Sequence, residues 1–395
     1  MSIAVTGIGL VTAMGIGVEH NIVSIREGRS GISSVPSLLK TGNLLLVGEL
    51  RVTNEELHDI AGVPRKEHLS RTALLGIIAV KEALADAGVD KTQRIGLVSS
   101  TSVGGMDLTE HFFEDFIEDD AKGRLRDVRM HDCSASTDVI ARHCGINGYT
   151  TTISTACSSA ANAVIAGAKL LRHGIVDSVV VGGTDALSAF TINGFKSLMI
   201  LDERQCRPFD ASRAGLNLGE GAGYLVMTNV KPSAVSHQQY YCKLAGYANR
   251  NDAHHQTASS VEGNGAYLAM KEALAVAGLA PEAVSYVNAH GTGTGNNDAS
   301  ESAAFMRLFG DKMPRFSSTK SFTGHTLAAA GGIEAVLSVL AVRHGYIYPN
   351  LNFENPIEEY GLRPVTRFEE NADVNCVLTN SFGFGGNCSS LVFTR

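Results

Sequence analysis

The chain has 395 residues, 44 % of them hydrophobic and 18 % charged, a composition that excludes a disordered chain and can supply a large core. Net charge is −7 with no basic block, which removes the electrostatic basis for a nucleic-acid role. Seven cysteines, at 133, 144, 157, 206, 242, 376 and 388, form no C-x-x-C pair, so a disulfide framework or zinc ribbon is not expected.

The N-terminal stretch MSIAVTGIGLVTAMGIG lacks a basic n-region and a cleavage site, and reads as a strand with a Gly-rich turn. Within it, GIGLVT lacks the third glycine of a dinucleotide fingerprint. No uncharged apolar run reaches the roughly 18 residues of a membrane span. A cytoplasmic protein with no membrane span is the expectation.

Further along, two segments repeat. KEALADAG at 81–88 is followed by the strand IGLVSS, and KEALAVAG at 271–278 by VSYVNA. Then STACSSAANAVIAGAKLLRHG from Ser154 matches STKSFTGHTLAAAGGIEAVLSVLAVRHG from Ser318. Each starts with Ser-Thr, becomes an Ala-rich helix and stops at Arg-His-Gly. Each leads to an apolar strand with a glycine-rich exit, SVVVGGTDA from Ser178 and CVLTNSFGFGG from Cys376. The spacing predicts two βαβαβ-type halves, 1–235 and 236–395, with an insertion at about 106–147 in the first. The Ala-rich helices are apolar nearly all round, which buries them between sheets. The expected fold class is α/β, in five layers α-β-α-β-α with mixed sheets.

Four positions carry chemistry. Cys157 lies where a strand ends and an Ala-rich helix begins. Unpaired N–H groups and the helix dipole there favour a thiolate; a small buried cysteine is the alternative reading. His290, in NAHGTGTG, sits at a strand exit among small residues that allow close ligand approach. His325, in TKSFTGHTLAAAGG, is expected at the start of the helix that duplicates the Cys157 helix. A pseudo-twofold relation then makes Cys157 and His325 spatial neighbours. Lys320 and Glu334 flank His325 and are expected to form an ion pair that orders the loop. In NSFGFGGN, the segment around Phe384 is either a turn with core aromatics or a loop whose N–H forms half of an oxyanion hole. His254-His255 reads as surface.

With Cys157, His290, Lys320 and His325 in this order, the sequence resembles the elongating β-ketoacyl-acyl carrier protein synthases. The resemblance rests on TACSSA (155–160), RPFDASRAGLNLGEGAG (207–223), NAHGTGTGNND (288–298), STKSFTGHTLAAAGG (318–332) and NSFGFGG (380–386), and it covers essentially the whole chain. It implies the thiolase fold and a Cys-His-His triad. Cys157 would take the acyl chain as a thioester, and His290 and His325 would stabilise the enolate left when a malonyl unit loses CO2. It implies an oxyanion hole from the N–H groups of Cys157 and Phe384, and Phe384 as a gate. Thr292 and Thr294 would meet the phosphopantetheine arm, and Val103 and Phe195 the acyl chain. The implied partner is an acyl carrier protein, docked on a basic site to which Arg65, Lys66 and Arg204 could contribute. No resident cofactor and no catalytic metal are implied. Some members hold a structural monovalent cation, for which Asn288, Glu334 and Asn380 are the candidates.

One departure concerns the end motif: the common FGFGGTN reads FGFGGNC here, with Asn387 and Cys388 at the last two places. The stretch GGTDALSAFTINGFKSLMILDERQCRPFD resembles ketosynthases of aryl polyene or flexirubin-like pigment clusters. That resemblance implies a polyunsaturated acyl substrate and a heterodimer with a ketosynthase-like chain-length factor. A homodimeric fatty-acid-synthesis ketosynthase is the alternative. A non-catalytic chain-length factor would lack the nucleophile, and a degradative thiolase would need a second catalytic cysteine, for which only Cys388 is at hand.

Overall fold

The computed structural model describes residues 2–34, 45–90, 92–230 and 240–395. The boundary expected at 235/236 lies outside them. Ten principal strands are β1 (Ser2–Thr12), β2 (Ile95–Ser100), β3 (Thr150–Ile153), β4 (Ser178–Asp185), β5 (Gly221–Val230), β6 (Cys242–Asn251), β7 (Tyr286–Asn288), β8 (Arg315–Ser317), β9 (Cys376–Gly383) and β10 (Asn387–Thr394).

Their spatial order is β8-β7-β9-β10-β6-β1-β5-β4-β2-β3. Outward from the middle, one half runs β1-β5-β4-β2-β3 and the other β6-β10-β9-β7-β8. Adding five to each label of the first half gives the second. The pairing senses repeat too: β4 with β5 and β9 with β10 are antiparallel, while β2 with β3 and β7 with β8 are parallel. The halves join through a short antiparallel pairing of β1 and β6, from Ile3–Leu244 to Val5–Cys242.

Helices fill three layers. On the outside of the first half lies α1 (Arg71–Ala87), packed on β1 and β5. The insertion supplies α2 (Met106–Glu118) and α3 (Cys133–Cys144), and α3 lies beside α1. The central layer holds α4 (Ser159–Arg172) and, later in the chain, α8 (Ala330–His344), each touching strands of both halves. Between them in sequence come α5 (Ala189–Ser197), then α6 (Asn264–Ala277) and α7 (Gly295–Phe309), the last two packed together outside the second half. The five expected layers are present.

Burial follows the pattern of the sequence. Every residue of α8 from Ala330 to Val342 is buried. Among the described residues, Leu327–His344 is the one helical stretch long and apolar enough to cross a membrane by composition; here 89 % of it is buried inside the fold. Glycines let this helix lie directly on the sheet: a Cβ on Gly332 would sit 2.3 Å from the Gly223 carbonyl oxygen. That contact sets the helix end, and with it the loop before it, against the half that carries Cys157.

Candidate active site

Cys157 sits just ahead of α4, with Ser158 as the helix N-cap. The preceding residue, Ala156, is held at φ 51°, a left-handed conformation that an alanine adopts only when its surroundings dictate it. Those surroundings are hydrogen bonds. The Thr155 N–H donates to Ser159 Oγ at 2.7 Å, and the Ser158 hydroxyl donates to the Thr155 carbonyl at 2.8 Å. The thiol is 5 % exposed. Burial pushes it up to about 12, with Lys320 pulling the other way. Desolvation here opposes the thiolate that the helix terminus favours.

His290 follows β7 and is buried. Its loop is anchored by two carboxylates that sequence reasoning did not single out. Glu301 accepts from the N–H groups of His290 (2.9 Å) and Gly291 (2.8 Å), and Asp298 from those of Thr292 and Phe209. Both lie on α7, one helical turn apart, a spacing that could have flagged them. Burial pushes Glu301 up to about 7, and the backbone donors oppose it.

His325 is not at the helix start. It lies five residues before α8, bridged to the backbone of a first-half segment. Its N–H donates to Asn217 O (2.7 Å), and Gly219 N–H donates to His325 O (2.9 Å). A 3-10 turn, Leu327–Ala329, then leads into α8. The motif at 207–223 is therefore the docking strip for the His325 loop.

The two rings are set alike. Lys320 Nζ lies 3.2 Å from His290 Nδ1, and the Leu327 N–H donates to His325 Nδ1 at 3.1 Å. An Nδ1 facing a donor must accept, so each neutral ring carries its proton on Nε2. Burial, then the nearby Lys320 ammonium, holds both imidazoles well below the ordinary histidine range. The ring centroids are 5.5 Å apart, edge to face. Lys320 also donates to the His290 carbonyl (2.6 Å) and pairs with buried Glu334. The expected ion pair is present, and it also fixes His290. Burial pushes Glu334 up against the pull of Lys320.

Cys157, His290 and His325 all line one cavity of about 310 Å³. Thr292, Thr294, Phe195 and Phe384 line it as well. Phe195 and Phe384 stack across it, centroids 5.9 Å apart. Thr292 and Thr294 share a 2.9 Å hydroxyl contact, and Thr294 also caps α7. Val103 lies in the apolar cluster with Phe195, Leu216 and Leu327. Thr257, Ala258 and Ser259, from a loop with no sequence signal, form another part of the wall. His254 and His255 just before them are exposed, as read. Arg204 is exposed in the loop whose first residues, Leu198 to Ile200, reach the cavity, whereas exposed Arg65 pairs with Asp59. Asn288 leaves a buried Oδ1 without a hydrogen-bond partner among the described residues and adjoins Glu334, its Nδ2 lying 3.4 Å from Glu334 O. These are oxygen donors of the kind a monovalent cation takes. Asn380 is spent on Glu301 and Ser390.

The β-ketoacyl synthase N-terminal domain family matches residues 1–232, and the β-ketoacyl synthase C-terminal domain family residues 241–354. The chain belongs to the β-ketoacyl synthase family. This ketosynthase is 32 % identical over 412 residues to 3-oxoacyl-[acyl-carrier-protein] synthase 2 of Staphylococcus aureus, covering 100 % of this chain and 98 % of that one. The Synechocystis enzyme of the same description is 31 % identical with the same coverage. Among solved structures, the ishigamide ketosynthase/chain length factor superposes with TM-score 0.92 at 30 % identity, covering 100 % and 99 %. The ketosynthase ApeO in complex with its chain length factor ApeC, from Xenorhabdus doucetiae, gives 0.85 at 31 %, covering 100 % and 98 %. The expected thiolase-like fold, family and enzyme class are thus met.

Proposed function

We propose that this ketosynthase joins an acyl group held on Cys157 to a malonyl unit delivered by an acyl carrier protein, giving a 3-oxoacyl-carrier product and CO2. The observation that carries this reading is the pair of neutral Nε2–H imidazoles facing the same cavity as a buried thiol. Such donors suit developing negative charge better than they suit proton removal.

Cys157 takes the acyl group by thioester exchange, and the carrier thiol leaves. The malonyl thioester then loses its carboxylate as CO2. The electron pair moves onto the thioester carbonyl oxygen, where His290 and His325 donate to the enolate. The enolate carbon attacks the acyl-Cys157 carbonyl. That attack forms the carbon–carbon bond, the N–H groups of Cys157 and Phe384 hold the tetrahedral oxyanion, and its collapse breaks the C–S bond and releases the Cys157 thiolate. Lys320 positions His290, and Glu334 supports Lys320. Thr292 and Thr294 meet the phosphopantetheine arm, and Phe195, Val103 and Phe384 shape the acyl path. The reading needs no resident cofactor, because the acyl groups ride on the carrier's own arm. A structural cation at Asn288 and Glu334 would steady this loop without entering any step.

The partner is proposed to be a chain-length factor in a pigment-type pathway, supported by the two solved relatives whose names include one. The full-length match to fatty-acid-type synthases favours the alternative, a self-sufficient homodimer. Intact mass and CO2 release with acyl-carrier and malonyl-carrier decide between them. Acylation at Cys157 with CO2 release by the lone chain supports the homodimer. Acylation without elongation until a partner is co-expressed supports the heterodimer. No acylation in either case overturns the reading.

A further inference from the structure

We infer that Asn387, one of the two residues that depart from the common end motif, is a positioning residue that locks the nucleophile turn to the hairpin bearing Phe384. The inference rests on the functional reading above.

Asn387 opens β10 and sits opposite Gly383 in the β9–β10 hairpin. Its side-chain carbonyl oxygen accepts from two amides, Asn162 Nδ2 at 2.9 Å and Asn249 Nδ2 at 2.7 Å. The Ser158 hydroxyl, 2.7 Å away, shares its one proton between this oxygen and the Thr155 carbonyl. Ser158 is the N-cap directly after Cys157, Asn162 is on the first turn of α4, and Asn249 is on β6. One oxygen thus gathers the nucleophile helix and a strand of the other half. The network closes on itself: Asn162 Nδ2 reaches Thr155 Oγ1 (2.9 Å), and Asn162 Oδ1 accepts from Asn249 (2.9 Å) and Ser389 (2.9 Å).

A threonine hydroxyl also accepts, but it is one bond shorter and brings a proton that needs an acceptor of its own, so the same set of contacts would not form. The chain also leaves no slack at this contact. A Cβ on Gly383 would lie 2.8 Å from the Thr155 carbonyl oxygen and 3.2 Å from the Cys157 nitrogen. The hairpin backbone therefore rests on the Cys157 turn, and Asn387 is the polar tie beside that seam. Two N–H donors that must converge on one oxyanion come from the two sides of this seam. Their alignment depends on a tie across it, and misplacement by about 1 Å costs about a hundredfold in rate.

The histidines lie outside this network, which separates two activities in one preparation. In Asn387→Ala, acylation of Cys157 is expected to fall about tenfold to a hundredfold, with CO2 release from malonyl-carrier within about threefold of wild type. The ratio of the two rates is the readout, because a misfolded fraction lowers both equally. Ser158→Ala combined with Asn387→Ala should lose clearly less than the product of the two single losses, since the two variants share one tie. An unchanged ratio, or losses that multiply in the double variant, overturns the assignment. Wild-type protein that is never acylated at Cys157 overturns the functional reading, and this assignment with it.

Discussion

At the scale of single residues, the site works through protonation states that burial sets. A thiol held up to about 12 is mostly protonated at neutral pH. Its thiolate fraction then rises about tenfold per pH unit, so alkylation of Cys157 by iodoacetamide should climb without a plateau between pH 7 and 9. Mass-spectrometric alkylation rates check this, and a plateau below pH 8 would mean a preformed thiolate. The two imidazoles are shifted the opposite way, so they stay neutral as pH falls through the ordinary histidine range near 6.5. In His325→Ala, CO2 release should drop about a hundredfold while Cys157 acylation stays within about fivefold. If acylation alone fell, the roles given to the cysteine and histidine sides would be reversed.

At the scale of elements, the central helices do two jobs. They fill the space between the half-sheets, and their N-terminal approaches carry Cys157 and His325. Leu337 is fully buried in α8, and Leu337→Ala should cost about 2–5 kcal/mol in denaturant unfolding, the usual range for a truncated core leucine. Gly332→Ala should also destabilise, by about 1–3 kcal/mol, because its new methyl meets backbone rather than a movable side chain. Here the expected sign is opposite to helix propensity, which favours alanine over glycine. Thermal unfolding distinguishes the two: a raised melting temperature in Gly332→Ala would show that the helix can lift from the sheet.

At the scale of the whole molecule, the cavity is where both halves and the loops between their strands meet. Phe195 comes from α5, Phe384 from the β9–β10 hairpin, and Thr257 to Ser259 from the loop after β6. Phe195→Ala should remove one side of the aromatic stack and lengthen the mean acyl product, read by mass spectrometry of carrier-bound chains. An unchanged product distribution would take Phe195 out of the acyl path.

What the sequence alone determined was whatever repeats or is chemically distinctive. The duplicated helix–strand order predicted the five layers, because period and apolar content act locally. Cys157, His290, Lys320 and His325 stood out because a thiol, an imidazole or a lone lysine in a glycine- and alanine-rich segment has few bland uses. Tertiary structure alone decided how these groups are poised. The thiol's protonation depends on how deeply it is buried. The Nε2–H form of each imidazole depends on Lys320 Nζ and the Leu327 N–H. The anchoring of His290 by Glu301 and Asp298, and of His325 by Asn217 and Gly219, runs between segments that are apart in sequence. Hydrogen bonding and desolvation are set by which groups become neighbours, and only the packed chain fixes that.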